Sequence, residues 1–284
     1  MNEKKEFQKL LHDLCLGVGE LPPIERKGPQ GRKPIPLPDA VFSAVYKIYS
    51  TFSARRFTCD LQDAKERGYI TRAPHFNSVL NYLENPALFS ILVSMIQRAS
   101  LPLQSIEENF AVDSTGFAFS RFVRWYDIKY NKFTAEQQWI KLHFCTGVKT
   151  NVITAVKIEG RDAGDAPQLP ALVQKTAENF TMKEVSADKG YTGRECHDAI
   201  AAVGATPFIM FKANATGAVG GLFQKMFHYF QFKKEDFRFI RRKRSLWLKK
   251  RGHGCLLWSY QASERRQAHV HESFVSRLGC TRLH

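Results

Sequence analysis

Apolar residues recur at helical spacing through the first hundred positions of the chain. Val41, Phe42, Val45 and Tyr46 would share one face of a helix, and Asp39 just before them has the side chain of an N-terminal cap. The same pattern predicts five helices, over residues 3–15, 39–49, 53–68, 77–83 and 86–100. The first part of the chain is therefore expected to be all-α.

The pattern changes at Asn109, where NFAVDSTGFAF alternates as a half-buried strand does. Further strands are predicted over residues 139–147, 151–160, 183–188 and 205–212, and helices over residues 166–180 and 193–204. A hairpin sheet followed by helix-linked parallel strands is the layout of a ribonuclease-H-like core. The predicted fold class is α/β, a ribonuclease-H-like mixed sheet with flanking helices, preceded by an all-α N-terminal domain and followed by an irregular tail.

The composition is ordinary for a globular protein, with 44% hydrophobic and 24% charged residues among 284. The six cysteines form no CxxC pair, no run reaches the roughly 18 apolar residues of a membrane helix, and the first twenty residues lack the apolar stretch of a leader. We expect a cytoplasmic, nucleoid-associated protein with reduced thiols and no membrane partner.

The charge is strongly basic, with a formal net charge of +15 and a pI of about 9.6. Residues 238–284 hold 12 Lys and Arg but only two acids, so this tail carries two thirds of the excess. Basic side chains release the counterions condensed on a phosphate backbone, which makes DNA the expected partner. The residues predicted to contact DNA are Arg32, Lys33, Arg55, Arg56, Arg241, Arg242, Lys243 and Arg244.

Changes in composition along the chain predict four domains. They are an N-terminal helix and basic linker over residues 1–38, a helical DNA-binding domain over 39–106, an incomplete ribonuclease-H-like core over 107–237 and an aberrant basic tail over 238–284. The Pro- and Gly-rich linker is either a solvated connection or an arm along a DNA minor groove. The helical domain either reads DNA in a helix-turn-helix-like way or is a plain bundle with a charged face.

Two aspartates end up near strand ends in this layout. Asp113 lies on the first strand, and Asp188 closes a later one before Lys189-Gly190-Tyr191. A single aspartate after a strand is more typical of a cap or a turn. Two converging carboxylates repel each other, however, and a divalent cation such as Mg²⁺ with its hard oxygen ligands resolves that conflict.

The stretches AVDSTGF, FVRWYDIKY, WIKLHF, TAVKI, SADKGY and TPFIMFK, in this order, resemble the DDE transposases of bacterial insertion sequences. The resemblance implies a ribonuclease-H-like fold, Mg²⁺ or Mn²⁺, and a homodimer when the protein is intact. Carried over by residue, Asp113 is the first catalytic and metal-binding acid and Asp188 the second. Tyr191 matches the motif with packing as its expected role, and His143 either approaches the site or is a core or surface histidine.

The third acid of the family is usually a Glu on a helix that follows a segment similar to MFHYFQFKKEDF and Lys243-Arg244-Ser245 here. Leu248 occupies the expected position, and leucine has no oxygen to ligate a metal. Glu264 is a later acid, but its neighbours lack the family's spacing of Tyr, Arg, Glu and Lys. We therefore expect a C-terminally truncated or frameshifted, inactive copy, the alternative being a divergent but selected basic tail.

The leading functional prediction is a DNA transposase that cuts transposon ends and joins them to target DNA by divalent-metal-dependent phosphodiester transfer. The alternative is a non-catalytic DNA-binding protein that represses intact relatives, because the N-terminal helices are retained. A chromosomal nuclease on the same fold is a third possibility, and the transposase-like helices argue against it.

A frameshift near Ser245 leaves a record in the gene. Read in a shifted frame downstream of that codon, the DNA is expected to encode a family-like helix with a Glu near position 248. Nucleotide sequencing across codons 237–250 and beyond tests this. If neither shifted frame encodes such a helix, the tail is a divergent sequence and not a frameshift product.

Overall fold

The computed structural model describes residues 3–20, 35–118, 139–160 and 162–232. These residues divide into two compact units, one ending at Ala99 and the other beginning at Ser100. Each unit has its own cluster of buried apolar side chains. Each therefore buries the apolar faces of its own helices and strands.

The described part of the first unit is helical, as the sequence predicts. Its helices are α1 (Glu3–Leu16), α2 (Leu37–Ser50), α3 (Phe57–Glu66), α4 (Phe76–Leu83) and α5 (Ala87–Ser100). Phe42 and Tyr46 on α2 and Phe57 and Leu61 on α3 are at most 1% exposed and belong to one core. Residues four apart share a helix face, so the spacing that predicts these helices also builds the core.

Asp39 does not cap α2, contrary to the prediction. The helix begins at Leu37 with a proline in its first turn, so Asp39 lies inside it. The buried Asp39 carboxylate accepts hydrogen bonds from the Thr71 backbone N (3.1 Å), the Thr71 hydroxyl (2.5 Å) and the Arg72 backbone N (3.0 Å). Proline suits a first turn, where its missing N–H has no helical partner, and Asp39 is then free to hold the loop after α3.

The second unit is built on a five-stranded sheet with the order β3-β2-β1-β4-β5. The strands are β1 (Asn109–Ala118), β2 (Trp139–Gly147), β3 (Ile153–Gly160), β4 (Glu184–Ala187) and β5 (Thr206–Ile209). β2 pairs antiparallel with both β1 and β3, whereas β4 pairs parallel with both β1 and β5. The predicted mixed sheet is therefore confirmed.

Two helices link the parallel strands, α6 (Leu169–Ala177) before β4 and α7 (Arg194–Ala202) before β5. Leu172 from α6 and Ile200 from α7 share a buried cluster with Phe110, Val112 and Val185 from the sheet. Both helices therefore pack on the sheet, and the predicted ribonuclease-H-like arrangement of a mixed sheet with flanking helices is confirmed.

A further helix, α8 (Gly221–Phe232), was not among the predicted elements. Phe223 and Met226 on α8 form a small buried cluster with Phe211, which follows β5. The Phe211 and Phe223 rings meet edge to face with centroids 5.1 Å apart. The apolar spacing of GLFQKMFHYFQF is helical, so the sequence pattern also predicts this helix.

In the described ranges, no single helix combines the length and apolar character needed to cross a membrane. The pair Phe76–Leu83 and Ala87–Leu103, bent by 82°, meets those criteria together by length and composition.

Glu107 anchors the turn between β2 and β3. Its carboxylate Oε2 accepts hydrogen bonds from the Lys149 backbone N (2.9 Å), the Thr150 backbone N (2.7 Å) and the Thr150 hydroxyl (3.0 Å). Only 1% of Glu107 is exposed, so the three donors share one buried acceptor that a truncated side chain would remove. We expect Glu107→Ala to lower the free energy of unfolding by about 1–3 kcal/mol, measured by urea denaturation followed by circular dichroism.

Glu108 is the matched control, because it is the next residue and also an acid. It forms an ion pair with Lys183 at 2.6 Å, with side chains 47% and 63% exposed. Solvent screens such a pair, so Glu108→Ala should change the free energy of unfolding by no more than about 0.5 kcal/mol. Equal effects of the two substitutions would contradict an anchoring role for Glu107.

Candidate active site at the carboxyl ends of the strands

The pairing of β1 with β4 places the two predicted catalytic acids next to each other. The two strands are parallel neighbours with Val112 opposite Ala187. Asp113 directly follows Val112, and Asp188 directly follows Ala187. In a parallel pair, residues at the same register lie side by side, so Asp188, just after the end of β4, lies next to Asp113 in the middle of β1. The structure therefore brings Asp113 and Asp188 together at one edge.

Backbone N–H groups orient both carboxylates. The Ser114 N donates to Asp113 Oδ1 at 2.8 Å, and the Gly190 N donates to Asp188 Oδ1 at 2.6 Å. Asp188 thereby caps the short turn Lys189–Tyr191. Both aspartates are exposed, so their remaining oxygens are open to solvent and to ligands.

The site disfavours a full set of negative charges. Partial loss of hydration raises the pKa of Asp113 above its ordinary value of 3.8, and the neighbouring Asp188 and Asp165 carboxylates raise it further. The Ser114 N–H opposes this shift because it stabilises the ionised form. An added cation would remove the repulsion, which is the physical reason for a metal at such a site.

Asp165 is a third carboxylate at this edge, and sequence reasoning missed it. It lies in the loop between β3 and α6, where its Oδ1 accepts from the Lys141 ammonium (2.6 Å) and the Ser114 hydroxyl (3.0 Å). Burial raises the pKa of Asp165, but these two donors outweigh it and leave the pKa below the ordinary value. Asp165 is therefore held ionised beside the other two acids.

Gly190 keeps open the space between two of these carboxylates. A Cβ atom at position 190 would lie 2.8 Å from Asp188 Oδ1 and 2.9 Å from Asp165 Oδ2. Both contacts are closer than a real Cβ allows, so only glycine fits beside these carboxylates as they stand. One oxygen of Asp188 and one of Asp165 thus both approach Gly190 closely.

His143 and Tyr191 are buried residues next to the acids. His143 is fully buried, with its Nδ1 3.5 Å from the Tyr191 hydroxyl and 3.7 Å from Asp165 Oδ1. Burial lowers the pKa of His143 and raises that of Tyr191, so both are neutral near pH 7. Tyr191 is part of the core, while His143 is both a core residue and a neighbour of the site.

The residues predicted to contact DNA divide into two groups. Arg55 and Arg56 are exposed just before α3, with the Arg55 guanidinium 5.6 Å from the centre of the Phe76 ring. The other six lie outside the described residues: Arg32, Lys33, Arg241, Arg242, Lys243 and Arg244. Leu248 and Glu264 also lie outside them.

The described residues form no complete ligand set for a metal ion. Within residues 3–20, 35–118, 139–160 and 162–232, no group of three or more His, Cys, Asp or Glu side chains is placed to hold an ion. Asp113 and Asp188 offer two carboxylates with open oxygens, which are ligands suited to Mg²⁺ or Mn²⁺. The residues present fit a divalent ion that takes two protein carboxylates here.

The raised pKa of Asp113, caused first by burial and then by the Asp188 and Asp165 carboxylates, gives a pH-dependent prediction for protein kept metal-free with a chelator. A carboxyl group whose folded pKa is raised costs stability when ionised, and the cost vanishes once pH falls below the unfolded value of 3.8. Asp113→Asn should therefore raise the thermal midpoint slightly at pH 7, by an amount that shrinks toward pH 4. The gain is small because solvent screens this exposed residue.

The control for this experiment is Asp198→Asn, which removes a carboxylate from a surface pair with Arg194 at 3.4 Å. It should not raise the midpoint at pH 7. A lower midpoint for Asp113→Asn at pH 7, in chelator, would contradict a raised pKa for Asp113 in the folded protein.

Comparison with known proteins gives a match to a family model. The family model described as "Transposase DDE domain" matches residues 105–271, more than half of the chain. No curated protein matches the chain. Among solved structures, a chain in "Crystal structure of a pre-cleavage Mos1 transpososome" is 11% identical with a TM-score of 0.24, over 99% of this chain and 100% of that one.

The range matched by the family model contains both Asp113 and Asp188 and continues past Ser245. The similarity to the family therefore extends further along the chain than the individual motifs indicate. On the strength of this match, the chain belongs to the family of transposase DDE domains.

Proposed function

We propose that this chain is built for divalent-metal-dependent DNA transposition, cutting transposon ends and joining them to target DNA. The observation that carries the proposal is the parallel pairing of β1 with β4, which sets Asp113 and Asp188 side by side. Members of this family generally use divalent metal ions, and DNA is the substrate that a transposase implies.

Asp113 and Asp188 are the residues that would hold Mg²⁺ or Mn²⁺ through their open carboxylate oxygens. When bound, such ions activate a water or a 3′-hydroxyl and stabilise the leaving oxygen of a phosphodiester. The Ser114 and Gly190 N–H groups keep the two carboxylates oriented before any ion arrives. A preoriented pair loses little freedom on binding, which favours the ion.

The excess of basic residues supports DNA as the partner. The net charge of +15 and the exposed Arg55 and Arg56 suit a phosphate backbone. A cytoplasmic, nucleoid-associated location fits this partner. The resemblance to insertion-sequence transposases further favours a homodimer for the intact protein.

This copy is proposed to be catalytically inactive or nearly so, because Leu248 stands where the motif comparison expects the third acid. Only two carboxylates would then be available to bind the metal ions that three acids bind in the family. Glu264 lies inside the range matched by the family model and is the competing source of a third acid.

Restoring the acid tests this proposal. With Mn²⁺ and duplex DNA carrying the sequences that flank the gene, the unmodified chain should give little end cleavage. Leu248→Glu should raise cleavage at least about tenfold, since transition-state charge stabilisation of this kind is worth a factor of that order or more. The measurement is the appearance of cleaved ends on a denaturing gel.

Two further variants separate the outcomes. Leu248→Glu combined with Asp188→Asn should abolish the gain, because the restored acid acts only beside the strand-end pair. Robust cleavage by the unmodified chain that Glu264→Gln removes would assign the third acid to Glu264 and overturn the proposed inactivity.

A second candidate function is DNA binding without chemistry. It is favoured by the first unit, which has a core of its own and presents Arg55 and Arg56 on its surface. A chain of this kind would occupy transposon ends and repress intact relatives.

Replacing both Arg55 and Arg56 by Ala in the full chain should weaken DNA binding and reduce its salt dependence. Two lost phosphate contacts lower the slope of log K against log salt by about two. Fluorescence anisotropy titrations at several salt concentrations measure this slope. Arg67→Ala is the matched control, because Arg67 is paired with Asp63 at 2.8 Å. An unchanged slope in the double variant would exclude these two arginines from the interface.

A further inference from the structure

Asp165 reaches the strand-end acids because of the direction of β3. β3 is antiparallel to β2, and β2 is antiparallel to β1, so β3 runs the same way as β1 and β4. The loop that follows β3 therefore leaves the sheet at the same end as Asp188, and from this loop Asp165 reaches Ser114 beside Asp113. Carboxyl ends of like-directed strands are where open α/β sheets gather functional side chains.

The Asp165 carboxylate contacts the chain beside each of the other two acids. Its Oδ1 accepts from the hydroxyl of Ser114, and the Ser114 N–H in turn donates to Asp113. Its Oδ2 approaches Gly190 as closely as Asp188 Oδ1 does, at 2.9 Å and 2.8 Å from the position that a Cβ atom would take. The Asp165 side chain thus contacts both Ser114, which holds Asp113, and Gly190, which holds Asp188.

Lys141 balances the charge of Asp165. The Lys141 ammonium lies 2.6 Å from Asp165 Oδ1 and also donates to the Ala163 carbonyl at 3.3 Å. Each side chain of the pair is 25% exposed, so water screens their attraction less than it would on the open surface. Lys141 therefore both neutralises Asp165 and ties its loop to β2.

We propose that Asp165 is a positioning residue for the Asp113–Asp188 pair and that Lys141 limits the negative charge of the site. Asp165 Oδ1 is committed to Ser114 and Lys141, so Asp165 orients its neighbours while leaving two carboxylates for an ion. This inference rests on the proposed metal-dependent function. It adds two residues, Asp165 and Lys141, that set the ion affinity through position and charge.

Opposite changes of charge should have opposite effects on the affinity for Mn²⁺. Asp165→Asn leaves the Lys141 ammonium unbalanced, and Lys141→Met leaves the Asp165 carboxylate unbalanced. We expect about fivefold weaker Mn²⁺ binding for the first and about fivefold tighter binding for the second, at low salt in a partly solvated site. The measurement is titration of the full chain with Mn²⁺, with free Mn²⁺ read by electron paramagnetic resonance.

Two double variants isolate the positioning role from the charge. Asp165→Asn with Lys141→Met and Asp165→Ala with Lys141→Met carry the same net charge, but only asparagine keeps an oxygen for the Ser114 hydroxyl. The Asn-containing double variant should bind Mn²⁺ nearly as the unmodified chain does, and the Ala-containing one several-fold more weakly. Equal affinities of the two would overturn the positioning role.

The matched controls lie at the opposite end of the same strands. Glu108→Gln and Lys183→Met alter an ion pair of similar length, 2.6 Å, near the start of β1 and β4. Neither should change the Mn²⁺ affinity. Lys141→Gln repeats the charge test with a side chain that still donates to Ala163, and Lys141→Arg should restore the affinity of the unmodified chain.

The outcomes distinguish this inference from the proposed function. If the unmodified chain binds no Mn²⁺, or Asp113→Asn binds it equally well, the metal site itself is wrong. If Asp113→Asn abolishes binding while the Asp165 and Lys141 variants match the unmodified chain, only the roles of Asp165 and Lys141 are overturned. Weaker binding in both single variants indicates loss of structure and also overturns the role of Lys141 in limiting charge.

Discussion

The parallel hydrogen bonding of β1 with β4 is the constraint on which the site depends. Residues far apart in sequence, Asp113 and Asp188, become neighbours because Val112 and Ala187 share one register. α6 belongs to the connection that makes this pairing possible, since parallel strands need a crossover that returns the chain to the same end of the sheet. The core beneath them, with Phe110, Val112 and Val185 buried, fixes which way the strands face.

Bringing acids together creates an electrostatic cost that the surrounding structure manages locally. Backbone N–H groups hold two of the carboxylates, and Lys141 neutralises the third. Gly190 leaves open space where any other residue would place an atom. The fold thus tolerates a concentration of negative charge at one edge, and that tolerance is what a cation-dependent active site requires.

The parts of the fold that the sequence predicts are those set by local pattern. Alternation around Asp113 and the short strand pattern KEVSAD are enough to place Asp113 on a strand and Asp188 where a strand ends, and the motifs of the family assign their order. Asp165 escapes such reasoning because its approach depends on the direction of β3 relative to β1, a property of the whole sheet. Asp39 was misjudged for a related reason, since its partners Thr71 and Arg72 belong to a distant loop.

Because β4 is short, the site is more sensitive to insertions and deletions than to point substitutions. β4 has four residues, and Phe180 and Met182 in the connection before it are buried. Insertion or deletion of one residue between those anchors and Asp188 would shift the strand by about 3.3 Å and turn its side chains to the opposite face. Point substitutions at the surface of this unit leave that register intact. Over generations, a gene of this kind is therefore more vulnerable to small indels ahead of the second acid than to most single-codon changes.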